Sequence, residues 1–262
     1  MINFNEKKGF ICDMDGVIYH GNRVLPGVKE FIEWLNNNKK EFLFLTNNSS
    51  YTPYELKQKL LRMGLDVSEK HFYTSALATA EFLKAQSPGC SVYALGEAAL
   101  TNALYNAGIC MNDVNPDYVV IGEANSYNID TITKATTLVL NGAKLIGANS
   151  DLSGPIENGI APACRALTAP IEMATGTEAY FCGKPHPLMM RTGLQMLNCH
   201  SKEAVMIGDR MDTDIISGME SGMSTVLVLS GISTRETLKK YAYRPTVVLD
   251  GVGDIVKEAA QG

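Results

Sequence analysis

The chain has 262 residues, 45% of them hydrophobic and 19% charged, which is the balance of a globular protein with material for a sizeable core and a second domain. A formal net charge of −5 gives no attraction to a phosphate backbone, so a nucleic-acid polymer is excluded as a partner. No window approaches 18 uninterrupted apolar residues and Lys7 and Lys8 lead into no long apolar segment, so neither a membrane span nor export is expected, and the cytoplasm is the expected compartment.

In chain order, Gly9 to Cys12 reads as a short buried strand that runs straight into "DMDG". Val28, Phe31, Ile32 and Leu35 then recur at helical spacing until the polar run Asn36 to Lys40. Phe42 to Leu45 has no polar alternation, as expected of a strand covered on both faces, and it too ends in polar residues, "TNNSS". Pro53 suits the first turn of a helix carrying Leu56, Leu60 and Leu61, with Gly64 as its C-terminal cap. A helix follows around Ser75 to Ala85.

The breaker segment "QSPGC" interrupts this pattern and a fresh series of strands begins, "SVYALGE", "DYVVIGE", "KLIGANS" and "AYFCGK", separated by helical stretches. Beyond them, "AVMIGDRMDTDI" and "STVLVLSG" read as two further buried strands with a helix between, and "TVVLD" as an edge strand. The fold class is therefore α/β, a Rossmann-like parallel sheet core with a second α/β unit inserted into it. The expected division is 1–87 with 180–262 for the core and 88–179 for the insertion.

In open α/β sheets ligands bind outside the carboxyl ends of the strands, and three polar clusters fall there: Asp13 with Asp15, Thr46 with Asn47, and Asp209 with Asp212 and Asp214. Carboxylates crowded on one rim repel, by on the order of 4 kcal/mol for unit charges about 4 Å apart near a protein surface, so a cation or a raised pKa must relieve them. Oxygen-only ligands suit Mg²⁺ together with a phosphate oxygen, and Lys184 in "CGKPHP" can neutralise the same negative charge. A lone Asp after a strand is more often a turn or capping residue. Asp212 fits that reading best, as N-cap of "TDIISGMESG", and Asp214 either caps the same helix or holds Lys184. The four histidines share no ligand spacing and read as surface or turn residues, and the six cysteines, scattered without a C-x-x-C, read as buried free thiols.

"DMDGV", "LTNNS", "GKP" and "GDRMDTD" resemble, in order, the four motifs of the haloacid dehalogenase (HAD) superfamily. The insertion between the second and third resembles a C2-type cap, and "GEAALTNALYNAG", "DVNPDYVVIGE" and "APACRALTAPIE" resemble the NagD-like branch. This resemblance implies a phosphatase in which Asp13 is the nucleophile and forms an aspartyl-phosphate, and Asp15 is first acid and then base. It implies that the Thr46 hydroxyl and the Asn47 backbone amide hold phosphoryl oxygens, that Lys184 compensates charge, and that Arg210 begins a loop reaching the substrate. Mg²⁺ would be held by Asp13, the main-chain carbonyl of Asp15 and Asp209, with Asp214 behind them.

The implied substrates are small phosphomonoesters, nucleoside 5′-monophosphates such as UMP first and sugar phosphates as the alternative, and a C2 cap can also form a homodimer interface. Two positions depart from the branch pattern, "NSD" for the common "NPD" and Arg165 where many relatives have glycine. The added cation either recruits a second anionic group or makes a surface salt bridge. A phospho-accepting receiver-type switch would gather similar atoms, but such domains are about half this length and carry no inserted lid.

Overall fold

The computed structural model describes residues 2–156 and 159–261. The chain forms two compact units: Met1–Thr46, Pro53–Tyr73 and Met190–Gly262 make the first, and Asn47–Thr52 with Thr74–Met189 make the second.

The first unit is organised by a six-stranded sheet in the order Val247–Leu249, Ser224–Val228, Ala204–Gly208, Gly9–Cys12, Glu41–Thr46, Phe72–Thr74. Gly9–Cys12 pairs in parallel on both sides, with Cys12 opposite Phe44 on one flank and Ile207 on the other. After this central strand the chain builds outward one way, to Glu41–Thr46 and Phe72–Thr74, and later returns to build the other way. The strand order therefore reverses between Gly9–Cys12 and Ala204–Gly208, which is where an open α/β sheet leaves a crevice at its carboxyl edge.

The strands read as continuous apolar runs because both faces are covered. Phe10, Cys12, Phe42, Phe44, Val205, Ile207, Val226 and Val228 pack in one cluster with Val28, Phe31, Ile32 and Leu35 from the helix Val28–Asn37. The helix Pro53–Arg62 buries Leu56 and Leu60, one turn apart, while Leu61 lies off that stripe and is exposed. Gly64, at φ +83°, follows that helix as expected, and Val247–Leu249 is an edge strand.

The second unit carries its own parallel sheet, in the order Tyr180–Phe181, Lys144–Gly147, Tyr118–Ile121, Ser91–Leu95, Cys110–Met111. Its strands alternate between two cores. Tyr118 and Val120 face Ala76, Ala80 and Leu83 of the helix Ser75–Gln86 and Leu100 and Leu104 of Ala98–Asn106. Val119 and Ile121 face Leu138 and Val139 of Ile129–Leu140 and Cys164 and Ile171 of Cys164–Thr175. The helix Ser75–Gln86 thus packs on this sheet, and the second unit extends beyond the 88–179 segment at both ends. An antiparallel hairpin, Ser153–Ile156 with Gly159–Pro162, completes it. Among the described residues no helix is long and apolar enough to cross a membrane.

Candidate active site

Parallel pairing brings the first cluster together. Asp13 extends the ladder one residue past Gly9–Cys12, its N–H donating to the Ile207 carbonyl at 2.8 Å, so Asp13 and Asp209 leave neighbouring strand ends side by side. Asp214 comes from the wide helical turn Met211–Ile215 that follows the second strand. One carboxylate oxygen from each of Asp13, Asp209 and Asp214 lies within 4.8 Å of the other two. Backbone donors hold this arrangement: Asp209 Oδ2 accepts from Ile232 N–H at 2.7 Å, and Asp214 Oδ2 accepts from Arg210 N–H at 3.1 Å. Gly231 is required beside them, because a Cβ there would stand 2.0 Å from Asp209 Oδ2.

Three carboxylates at this spacing are unfavourable as neighbours, each pair by roughly 3–4 kcal/mol at a near-surface dielectric. Asp209 and Asp214 are buried and Asp13 is partly buried, so bulk water relieves little of that cost. The donor set is three hard oxygens with neither cysteine nor histidine, a set that fits Mg²⁺ and does not fit a structural zinc. Asp214, expected behind the metal ligands, stands within the cluster itself.

Asp15 is held separately. The chain turns sharply after it, with Gly16 at φ +77° and its N–H donating to the Tyr19 carbonyl at 2.8 Å. Met14 between the aspartates is fully buried. The Asp15 carboxyl is pushed above the usual carboxylate range chiefly by burial, with Lys59 and His20 opposing that shift. His20 Nδ1 is 3.6 Å from Asp15 Oδ1, and Lys59 Nζ lies 3.9 Å from the centre of the Tyr19 ring. His20 is exposed, as a surface histidine should be, yet it also borders a proposed catalytic carboxyl, which its isolated place in the sequence did not reveal. Lys59 was likewise missed, since on the helix Pro53–Arg62 it reads as an ordinary solvated charge.

Thr46 is buried at the end of its strand, and the next residue enters a polar network in the second unit. Asn47 clamps the main chain of Lys184: Lys184 N–H donates to Asn47 Oδ1 at 2.7 Å, and Asn47 Nδ2 donates to the Lys184 carbonyl at 2.9 Å. Asn47 Nδ2 also donates to Asp151 Oδ2 at 3.1 Å, and Asn149 Nδ2 donates to the Asn47 carbonyl at 2.6 Å and to Glu123 Oε1 at 2.7 Å. Both asparagines and Lys184 are buried. Glu123 carried no signal of its own, although the rule that placed the acidic rim, applied to the second sheet, leads to it just beyond Tyr118–Ile121.

Two further sequence readings resolve. Asp212 does not cap a helix; it takes the Arg210 guanidinium in two hydrogen bonds, 3.1 Å from Nε and 3.0 Å from Nη2, because that fork lies only two residues back. Arg210, which begins the loop expected to reach the substrate, makes this pair from Nε and Nη2. Arg165 pairs with Glu172 at 3.0 Å and lies over the Phe181 ring at 4.8 Å, the salt-bridge reading of that departure.

Comparison with known proteins gives a consistent picture. Family models match residues 10–110 (haloacid dehalogenase-like hydrolase) and 181–255 (HAD-hydrolase-like). The chain is 46% identical over 246 residues to a dihydroxyacetone phosphatase of Corynebacterium glutamicum, covering 94% of this chain and 90% of that one. It is 42% identical to the ribonucleotide monophosphatase NagD of Escherichia coli, covering 95% and 98%. Its fold superposes on the crystal structure of a 4-nitrophenylphosphatase from Thermotoga maritima with a TM-score of 0.94 at 32% identity, over 99% and 100% of the two chains.

Proposed function

The chain belongs to the haloacid dehalogenase superfamily as a NagD-like phosphatase, a phosphoric monoester hydrolase, and from that premise we propose Mg²⁺-dependent hydrolysis of small phosphomonoesters through a phosphorylated Asp13. The observation that carries this reading is the meeting of Asp13, Asp209 and Asp214 at the reversal point of the first sheet.

In this reading an Asp13 carboxylate oxygen attacks phosphorus and the ester oxygen leaves with a proton from Asp15. Asp15 then takes a proton from the water that attacks the phosphoryl group, which frees Asp13 and releases phosphate. The upward shift of the Asp15 carboxyl supports the first task, because the group keeps its proton to higher pH than an exposed aspartate. The Thr46 hydroxyl and the Asn47 N–H hold phosphoryl oxygens, and Lys184 balances charge on phosphate and nucleophile. Asp13, Asp209 and the Asp15 carbonyl would hold Mg²⁺, with Asp214 joining or orienting them; the ion supplies positive charge against the oxygens of the transferring group.

The proposed substrates are nucleoside 5′-monophosphates such as UMP, in keeping with the NagD relative. Short sugar phosphates are the second reading, favoured by the 46% identity to a dihydroxyacetone phosphatase. With Arg165 engaged by Glu172, a substrate carrying one phosphoryl group is the simpler fit in either class. A phosphate-release screen over both classes, run with Mg²⁺ and with chelator, tests the proposal. Metal-dependent turnover of one class is expected, and undiminished turnover under chelator would sink it.

A further inference from the structure

Three neighbouring parallel strands of the second sheet end in a shared set of polar residues: Tyr118–Ile121 leads to Glu123, Lys144–Gly147 to Asn149, and Tyr180–Phe181 to Lys184. The segment Asn47–Ser49 is bound to that rim. Glu123 Oε1 accepts from Asn149 Nδ2 at 2.7 Å, and Glu123 Oε2 accepts from Ser49 N–H at 3.0 Å and from the Ser49 hydroxyl. The Glu123 main-chain N–H in turn donates to Ser49 Oγ at 3.0 Å. Gly122 permits this approach, since a Cβ there would stand 2.7 Å from Ser49 Oγ. The Asn149 amide relays the constraint to the Asn47 carbonyl at 2.6 Å, and the Asn47 side chain passes it to both main-chain groups of Lys184.

We propose that Glu123 is a positioning residue for phosphate binding, a carboxylate that fixes the Asn47 main chain and the Lys184 main chain through Ser49 and Asn149. The inference rests on the reading that Asn47 and Lys184 hold the phosphoryl group. A carboxylate suits the task because its two oxygens take donors from both directions, and hydrogen bonds to a charged acceptor are roughly twice as strong as neutral ones. An amide in its place presents one oxygen and one NH₂, so one of the two directions meets donor against donor. Ser49 and Asn149 are fully buried and Glu123 is partly buried, so water can replace the lost acceptor only in part.

The test measures binding of inorganic phosphate by calorimetry in the presence of Mg²⁺, beside KM and kcat on p-nitrophenyl phosphate, for the parent chain, Glu123→Gln, Asn149→Ala and the double variant. The phosphate Kd and KM are expected to rise together by about tenfold in each single variant, the size of a lost charged hydrogen bond, with kcat changing less. The double variant should lose little more than either single one, because both cut the same relay. Phosphate affinity within twofold of the parent in a folded Glu123→Gln protein, additive losses, or a lowered melting temperature with unchanged affinity would each overturn the proposal. A parent chain that binds phosphate but hydrolyses no ester would sink the functional reading instead, and the calorimetric comparison would still decide the role of Glu123.

Discussion

The carboxylates that follow Gly9–Cys12 and Ala204–Gly208 carry one sign and repel one another, whereas the groups that follow Tyr118–Ile121, Lys144–Gly147 and Tyr180–Phe181 are joined by donors and acceptors through the Asn47–Ser49 segment. Both assemblies stand at the carboxyl ends of parallel strands, so the difference is not one of scaffold. In the proposed function the first holds a cation, which offsets the repulsion among its carboxylates. The second is complete as a framework and fixes where backbone groups stand. A ligand should therefore change the stability of the first far more than that of the second, and substitutions should separate chemistry from placement.

The largest effect should come from the first assembly. Asp13→Asn removes the only carboxylate given the nucleophile's role, and kcat should fall at least about a thousandfold, read by phosphate release, with no phosphorylated protein detectable by mass spectrometry. Retained turnover would erase the distinction just drawn. Asp15→Asn should cost about 10²- to 10⁴-fold on an unactivated ester and much less on p-nitrophenyl phosphate, whose leaving group needs no proton. An equal loss on both would deny Asp15 its acid role.

Metal addition compares the two assemblies most directly. Mg²⁺ at about a hundred times its Kd should raise the unfolding free energy of the parent by roughly 2.7 kcal/mol, seen as a higher melting temperature, and Asp209→Asn should lose most of that gain. Glu123→Gln should keep it. A parent whose melting point ignores Mg²⁺ would show that the carboxylates tolerate their own repulsion.

The smallest effect concerns a site apart from both. His71 stacks on Phe42 with ring centres 3.9 Å apart and donates from Nδ1 to the Phe42 carbonyl at 2.8 Å. Burial lowers its pKa, so the folded state disfavours the imidazolium. Its share of stability is then present above the unfolded value near 6.5 and is lost as pH falls below it, because the unfolded chain takes up the proton first. His71→Gln should flatten the fall in urea midpoint between pH 7 and pH 5.5.

Much of the first assembly was legible because each part is local: a buried apolar run, an abrupt polar end, and a glycine where the chain must turn. Val28, Phe31, Ile32 and Leu35 likewise announced their helix, and all four are buried. Asp212 was misread because N-cap preference describes an ordinary helix start, whereas here a wide turn brings a guanidinium within reach. The Glu123 network left no pattern at all. Its members Ser49, Glu123, Asn149 and Lys184 lie far apart in the chain, and a hydrogen-bonded partnership, unlike a buried stripe, has no period.

The chain passes between its two units four times, at Thr46 to Asn47, Thr52 to Pro53, Tyr73 to Thr74 and Met189 to Met190. Modules exchanged between relatives by recombination must respect those crossings. A transplant limited to 88–179 would set a foreign acid and amide against the resident Asn47–Thr52 segment, so lineages that trade lids should inherit that six-residue strip along with them.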